Sequence, residues 1–419
     1  MTRRRLALVG AVLLVAACVE RLTAPGHCPG DFCPSGQITV VDTLLTTAIN
    51  RDSSYRGYVL AHQSALMLAA HLPGATDTLD GRPIFRINGI GSHFSISTVD
   101  TSRGPILGAD SARLQLYIVR RDTATHNLRL QLYRLPITID SSTTFADVTG
   151  PFTDSLVRNI NIDTLLAQPG RKDTVTGDSV VVDTVNHRLL LSLKLDTTAA
   201  RYVGTDSGSV AYGIRIAADT LASIAFGKGT FGPVLQWYLR VDSLGMPVAR
   251  KPGTLGAPLA SFVFAPPAAP VDSTLAVGGV PSARSLLRVA FPKAIRDSSQ
   301  VIRATLFLVP AVAARGAPAD SFVIEARTVF ADFGGKSPVD LRLGDTTIIH
   351  IGSTDTVKIE VTNLLQVWAA DSTHPTVLVL RPESEAQFFG EIRFYPSVAA
   401  AFRPTLQVTF VRRFPFGVP

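Results

Sequence analysis

Three thiols, eight histidines and 33 carboxylates are the groups in this chain whose chemistry could be put to work. The thiols are Cys18, Cys28 and Cys33. The histidines are His27, His62, His71, His93, His126, His187, His350 and His374, and none stands in H-E-x-x-H or another ligand spacing. No G-x-S-x-G marks a nucleophile, and serine and aspartate are too abundant for a Ser/His/Asp set to be singled out. Glycoside hydrolysis needs two carboxylates across a cleft. Glu325, Glu360, Glu383, Glu385 and Glu391 all lie in the second half, and Glu383 and Glu385 share a stretch that reads as a solvated loop. The glycines of Gly89 to Gly91 and of Gly278 to Gly279 read as turns, with no phosphate-loop context. The expectation is a non-catalytic protein without a cofactor. Oxygen ligands are plentiful enough for a structural calcium ion, but no EF-type loop frames one.

Cys18 has a context of its own. Arg3, Arg4 and Arg5 precede an apolar run from Leu6 to Ala17, too short to cross a bilayer as a helix. The run ends Val15, Ala16, Ala17, Cys18. This resembles the lipobox of bacterial lipoproteins, where small residues precede a required cysteine. The resemblance implies a signal peptide over 1–17, diacylglycerol on Cys18 and a lipid-anchored tether over 18–36. Several acyl chains hold far better than one, at roughly 0.8 kcal/mol per buried CH₂. In that family an aspartate after the cysteine often marks retention at the inner membrane. Val19 stands there instead, which implies the outer membrane where the organism has one, facing either the periplasm or the surface. With Cys18 lipidated, Cys28 and Cys33 form an even, close pair, and an oxidising compartment favours a small disulfide loop. A metal pair with His27 is the alternative, left incomplete by two thiols and one histidine.

The elements behind these groups read as strands. Of the acids, 27 are aspartate and 6 glutamate, and lysines number 7. Glutamate and lysine favour exposed helix faces, so their scarcity argues against helices. Ser or Thr directly follows 22 of the aspartates. Aspartate bonds its own backbone in turns and threonine suits a strand start, so the dipeptide marks turn-to-strand joints. Period-two alternation recurs at Ala112–Val119, Leu128–Tyr133, Leu189–Leu195, Tyr212–Ile216, Val234–Val241, Ala304–Val309, Val357–Val361, Val377–Leu380 and Leu406–Val411. Ser64–His71 is apolar and compatible with a strand, and Thr362–Ala370 has the pattern of a short amphipathic helix. The net charge of +7 falls to +4 without Arg3, Arg4 and Arg5, and the remaining basic residues are scattered, so nothing points to nucleic acid.

The chain also repeats itself. Ser64–Ala70 with Arg82–Ile87 matches Ser273–Gly279 with Arg284–Val289. Ala112–Leu116 matches Ala304–Leu308, and Phe231–Val241 matches Phe402–Val411. Matched segments in one order imply a duplicated domain, and 419 residues suit two. The expected division is a first β-sandwich over 37–255 with insertions such as Gln168–His187. A Pro/Ala-rich link over 257–270 overlaps its junction with a second sandwich over 260–411, and a tail covers 412–419. The fold class expected is all-β, two tandem antiparallel jelly-roll β-sandwiches.

The second half resembles the DNRLRE domain, a disaggregatase-related β-sandwich. The residues that carry this are Leu275–Gly278, Arg284–Val289, Ala304–Leu308, Val361–Trp368, Phe394–Ser397 and Arg403–Phe410. The first half matches more loosely and lacks a counterpart of the tryptophan stretch. The resemblance implies a jelly roll appended to secreted or surface proteins, some of whose relatives bind polysaccharide. Fold alone does not carry function across.

Sugar binding uses exposed aromatics as platforms. Trp237 alternates in phase with Leu235 and Leu239, on a core face, and Trp368 stands where the family tucks its tryptophan inward. Tyr55, Tyr58, Tyr117, Tyr133 and Tyr395 are the better candidates. The function expected is a membrane-anchored envelope lipoprotein carrying a carbohydrate-binding or adhesion module. A structural lipoprotein contacting other envelope proteins is the alternative, and a hydrolase a distant third.

Overall fold

The computed structural model describes residues 40–57, 59–72, 79–96, 103–196, 209–243, 249–265, 273–317 and 320–412. The expected leader and tether, with Cys18, His27, Cys28 and Cys33, lie outside the described residues, as do Tyr58 and residues 413–419.

In chain order the strands begin with β1 (Val40–Leu45), β2 (Ile49–Arg56), β3 (Leu66–Leu72), β4 (Leu79–Ile87) and β5 (His93–Ser95). There follow β6 (Arg103–Arg121), β7 (Arg129–Leu135), β8 (Leu156–Asn161), β9 (Ser179–Asp183), β10 (Arg188–Leu195) and β11 (Val210–Ala217). Next come β12 (Ala222–Gly227), β13 (Val234–Val241), β14 (Ala249–Gly256) and β15 (Leu259–Phe264). The later strands are β16 (Leu275–Gly278), β17 (Ala283–Val289), β18 (Ser299–Leu308), β19 (Pro310–Ala317), β20 (Ser321–Val329) and β21 (Val339–His350). The last are β22 (Val357–Glu360), β23 (Val377–Pro382), β24 (Phe389–Phe394) and β25 (Thr405–Arg412). Pairing between them is antiparallel throughout, so the fold is all-β, and all nine stretches of alternation fall on strands. The helix at Thr362–Ala370 has the bounds its pattern predicts.

Two sandwiches share one pairing scheme. In the first, β12, β3, β4, β11, β7 and β8 are successive neighbours, and β6 pairs with β13 and β10. In the second, β24, β16, β17, β23, β20 and β21 follow the same order, and β18 pairs with β25 and β22. The matched segments thus occupy the same places. The first match needs a shift of one residue. Ala70 lies opposite Gly81 as Gly278 lies opposite Ala283, so Met67 rather than Leu66 corresponds to Leu275. Long β6 passes through both layers of the first sandwich. Its counterpart breaks into β18 and β19 at Val309 and Pro310, a residue with no amide hydrogen for a ladder. Each sandwich encloses its own core. Phe85, Leu114, Tyr212 and Trp237 sit in the first, and Leu287, Leu306, Ile324 and Trp368 in the second.

The strand partners correct the expected boundaries. β1 and β2, placed by sequence in the first sandwich, pair with β25 and β17 of the second. β15 lies where the link and the start of the second sandwich were expected, and pairs with β4 of the first. The reason is physical. Alternation says that a strand has a buried face, but edge complementarity and the core it fills decide its partner. Ala48 and Ile49 are buried in the second core.

The Asp-Ser/Thr joints behave as turn chemistry. Asp122, Asp140, Asp173, Asp183 and Asp371 each accept the backbone N–H two residues on. Bonds from Ser142, Thr176, Asn186 and Thr373 hold the carboxyls of Asp140, Asp173, Asp183 and Asp371 below the usual range. Asp340, followed by Leu341 rather than by Ser or Thr, goes furthest. The Arg342 side chain bonds it at 2.8 and 3.0 Å, and its carboxyl falls from 3.8 to about 2. A depressed carboxyl stabilises the fold fully above its unfolded value and loses that contribution as pH falls toward the folded one. Thermal midpoints should therefore hold down to about pH 5 and fall between roughly pH 4 and 2. Because Arg342 is mostly exposed, the Asp340 share is about 1 kcal/mol. Asp340→Asn should lower the midpoint at pH 7 and flatten the acid limb. An acid limb identical to that of the parent chain would remove Asp340 from the account.

Candidate functional site

The outer face of the sheet β1-β25-β18-β22 carries the candidate site. Alternation builds it. Leu406, Val408, Ala304, Leu306 and Leu308 point into the core, which leaves Thr405, Gln407, Thr305 and Phe307 facing outward. Register sets the rows: Leu44 lies opposite Gln407, Thr405 opposite Phe307, and Phe307 opposite Lys358. Asp42 accepts bonds from Gln407 Nε2 at 2.8 Å and Thr409 Oγ1 at 3.2 Å, which fixes two side chains of the face.

At one end of this face a groove of about 570 Å³ is lined by Leu44, Thr46, Phe307, Val309, Phe402 and Arg403, among others. Thr356 joins it to a second hollow of about 240 Å³ beside His350, Asp355 and Lys358. Phe402 is 61% exposed and holds φ at 62°, a left-handed backbone that bulky residues rarely adopt. Tyr395 flanks it, with ring centroids 5.4 Å apart. Lys358 Nζ lies 5.7 Å from the Phe307 ring centroid. Among the described residues no carboxylate pairs with Arg403 or Lys358. The groove thus offers open aromatic faces, hydroxyl and amide hydrogen-bonders and two cations.

The first sandwich closes the same place. Phe231 is the counterpart of Phe402, and Tyr117 that of Val309. There the Arg188 guanidinium lies 3.6 Å from the Phe231 ring centroid, and Tyr117 meets that ring edge-on at 5.3 Å. A cation already covers the aromatic face that the second sandwich leaves open.

The sequence candidates scatter. Tyr395 packs against Phe402 without lining the groove, while Tyr117 belongs to the closed counterpart. Tyr55 packs over a small apolar cluster with Leu286 and Val329. Tyr133 is buried against Phe152 at 5.0 Å and cannot meet a ligand. Trp237 and Trp368 are buried. Phe402, Phe307 and Leu44 are not among the sequence candidates, which are tryptophans and tyrosines. The signal available was Phe402 itself, an aromatic between an alanine run and Arg403-Pro404.

Glu385, expected on a solvated loop, is a correction. Its two oxygens meet Arg284 at 2.6 and 2.7 Å and its side chain is mostly buried. Glu383 is exposed. Burial alone would raise the Glu360 carboxyl, but bonds from Thr362, Arg303 and the Ala304 N–H outweigh it and hold it below the usual range. Burial, with Glu360 nearby, raises the Asp345 carboxyl. Among the described residues no three His, Cys, Asp or Glu side chains gather as a metal site. No helix among them is long and apolar enough to cross a membrane.

No protein-family model matches the chain, and no curated protein matches it. Among solved structures, the N-terminal CBM22-1-CBM22-2 tandem domain of Xyn10C from Paenibacillus barcinonensis aligns over 91% of this chain and 99% of that one. Identity is 9% and the TM-score 0.14, values at which the two backbones share no demonstrable fold and nothing about this chain follows.

Proposed function

We propose that this chain is a non-catalytic cell-envelope lipoprotein, held to a membrane by lipid on Cys18, whose second sandwich binds polysaccharide in the groove at Phe402. One observation carries the reading: Phe402 is exposed in the groove beside Gln407, Thr405 and Arg403, with the Tyr395 ring tilted against it. A sugar ring presents an apolar face to stack and hydroxyls to bond, and this surface supplies both partners. The resemblances to lipoproteins and to DNRLRE domains agree with this assignment. A structural lipoprotein is the second reading, supported by the exposed Phe330, Phe333 and Leu341 around the β20–β21 turn.

The test has two arms. Residues 34–412, expressed without lipid, are titrated against a polysaccharide panel. We expect saturable binding that Phe402→Ala weakens about tenfold or more, at roughly 1.4 kcal/mol per decade. Phe231→Ala should leave it unchanged. Binding indifferent to Phe402→Ala would sink the groove, and silence across the panel would turn attention to protein partners. In cells, the full chain should sediment with membranes and its Cys18→Ser variant should not. A Cys18→Ser chain that still sediments would remove the anchor.

A further inference from the structure

We propose that residues 40–57 are a docked two-strand donor segment, β1 joining β25 in one sheet and β2 joining β17 in the other, that the second sandwich recognises as it would a separate partner. In the first sandwich β13 and β4 are covered by β14 and β15, which follow β13 directly. In the second the same two places, on β25 and β17, are filled by β1 and β2, which precede the first sandwich in the chain. The registers correspond. Leu45 lies opposite Leu406 as Leu255 lies opposite Leu235, and Ser54 opposite Ser285 as Phe262 opposite Pro83. The donor segment therefore completes a fold whose other strands, β16 to β25, are contiguous.

Recognition is by core and by polar contact. Ala48 and Ile49 enter the second core, and the Ala290 N–H donates to Ala48 O at 2.7 Å. Asp52 Oδ2 accepts the Ser397 N–H at 2.5 Å. Ser54 Oγ accepts the Ala276 N–H at 2.8 Å and bonds Ser285 Oγ at 2.7 Å. Edge strands left open invite any strand that fits, and here side chains specify which one docks. The donor segment also carries Leu44 and Thr46 into the groove wall. Docking thus assembles that wall whatever the groove binds.

The test nicks the full chain at a protease site inserted after Leu60, an exposed turn residue. The donor segment is removed in urea and the chain refolded with a labelled peptide of residues 40–57. We expect one peptide taken up per chain, return of the parent melting midpoint and competition by unlabelled peptide. A peptide carrying Asp52→Ala and Ser54→Ala should compete about tenfold less well or worse. Two results would overturn the proposal. One is an emptied chain that keeps the parent midpoint and the hydrogen-exchange protection of β17 and β25. The other is an emptied chain that takes up no peptide at any concentration.

Discussion

Trp368→Ala is expected to destabilise the second sandwich by about 3–5 kcal/mol, the range for truncating a fully buried large aromatic. The indole is wholly inside the core, 6.1 Å from the Phe291 ring, on the helix Thr362–Ala370. Its Nε1 has no hydrogen-bond partner, so truncation strands no acceptor. The loss is therefore cavity and transfer energy. Trp368→Phe, which keeps most of the volume, should cost less than half as much. Trp237→Ala, on β13 at a matching depth, should act on the first sandwich with a similar magnitude. Urea unfolding followed by hydrogen exchange reads both the size and the place. A Trp368→Ala change below about 1 kcal/mol would mean that the site collapses around the gap. The donor segment adds a signature, because a loosened second core should release β1 and β2 before the first sandwich opens.

What could be read in the sequence follows from what is local. Alternation belongs to a strand by itself, so β10, β13 and β25 stand where their patterns place them. The aspartate turns are local too, each closing on its own backbone two residues on. Partnership is not local. Nothing in Val40–Arg56 records that its neighbours lie more than 220 residues away. Tyr133 failed as a ligand candidate for a related reason. Leu130 and Leu132 show which face of β7 meets the core, but Phe152, from another segment, covers the opposite face. Glu385 read as solvated because Arg284, its partner, is 101 residues away. Phe402 went unread because its exposure depends on a left-handed backbone and an open neighbour, and its counterpart Phe231 is capped by Arg188.

Glu325→Ala should cost about 3 kcal/mol, the lower end for breaking a buried ion pair. Glu325 is 1% exposed and holds Arg327 at 2.6 Å and Arg381 at 2.5 Å. Burial alone would raise its carboxyl, but the two guanidinium groups outweigh that and keep it below the usual range. Without it, Arg327 retains the Leu341 and Leu343 carbonyls, and Arg381 retains Glu385 at 3.3 Å. Glu385 is already engaged by Arg284, so it cannot neutralise both. The remaining charge sits in partly screened positions, which is why the estimate stays low in the range. The first sandwich shows another solution. Gln131 stands at the place of Glu325, and Arg215 at that of Arg381. Arg82 and Arg215 there share Asp80 at 2.6 and 3.1 Å, while Arg82 also lies 4.4 and 4.7 Å from the Phe145 and Phe152 ring centroids. Aromatic faces thus stand in for the second carboxylate. Replacing Glu325 and Arg381 together by Leu and Met should be milder than Glu325→Ala alone, because Arg381 is no longer left buried without its acid, although Arg327 loses Glu325 in both variants. Equal losses in the single and double variants, measured by urea unfolding at neutral pH, would show that shape rather than charge sets the cost.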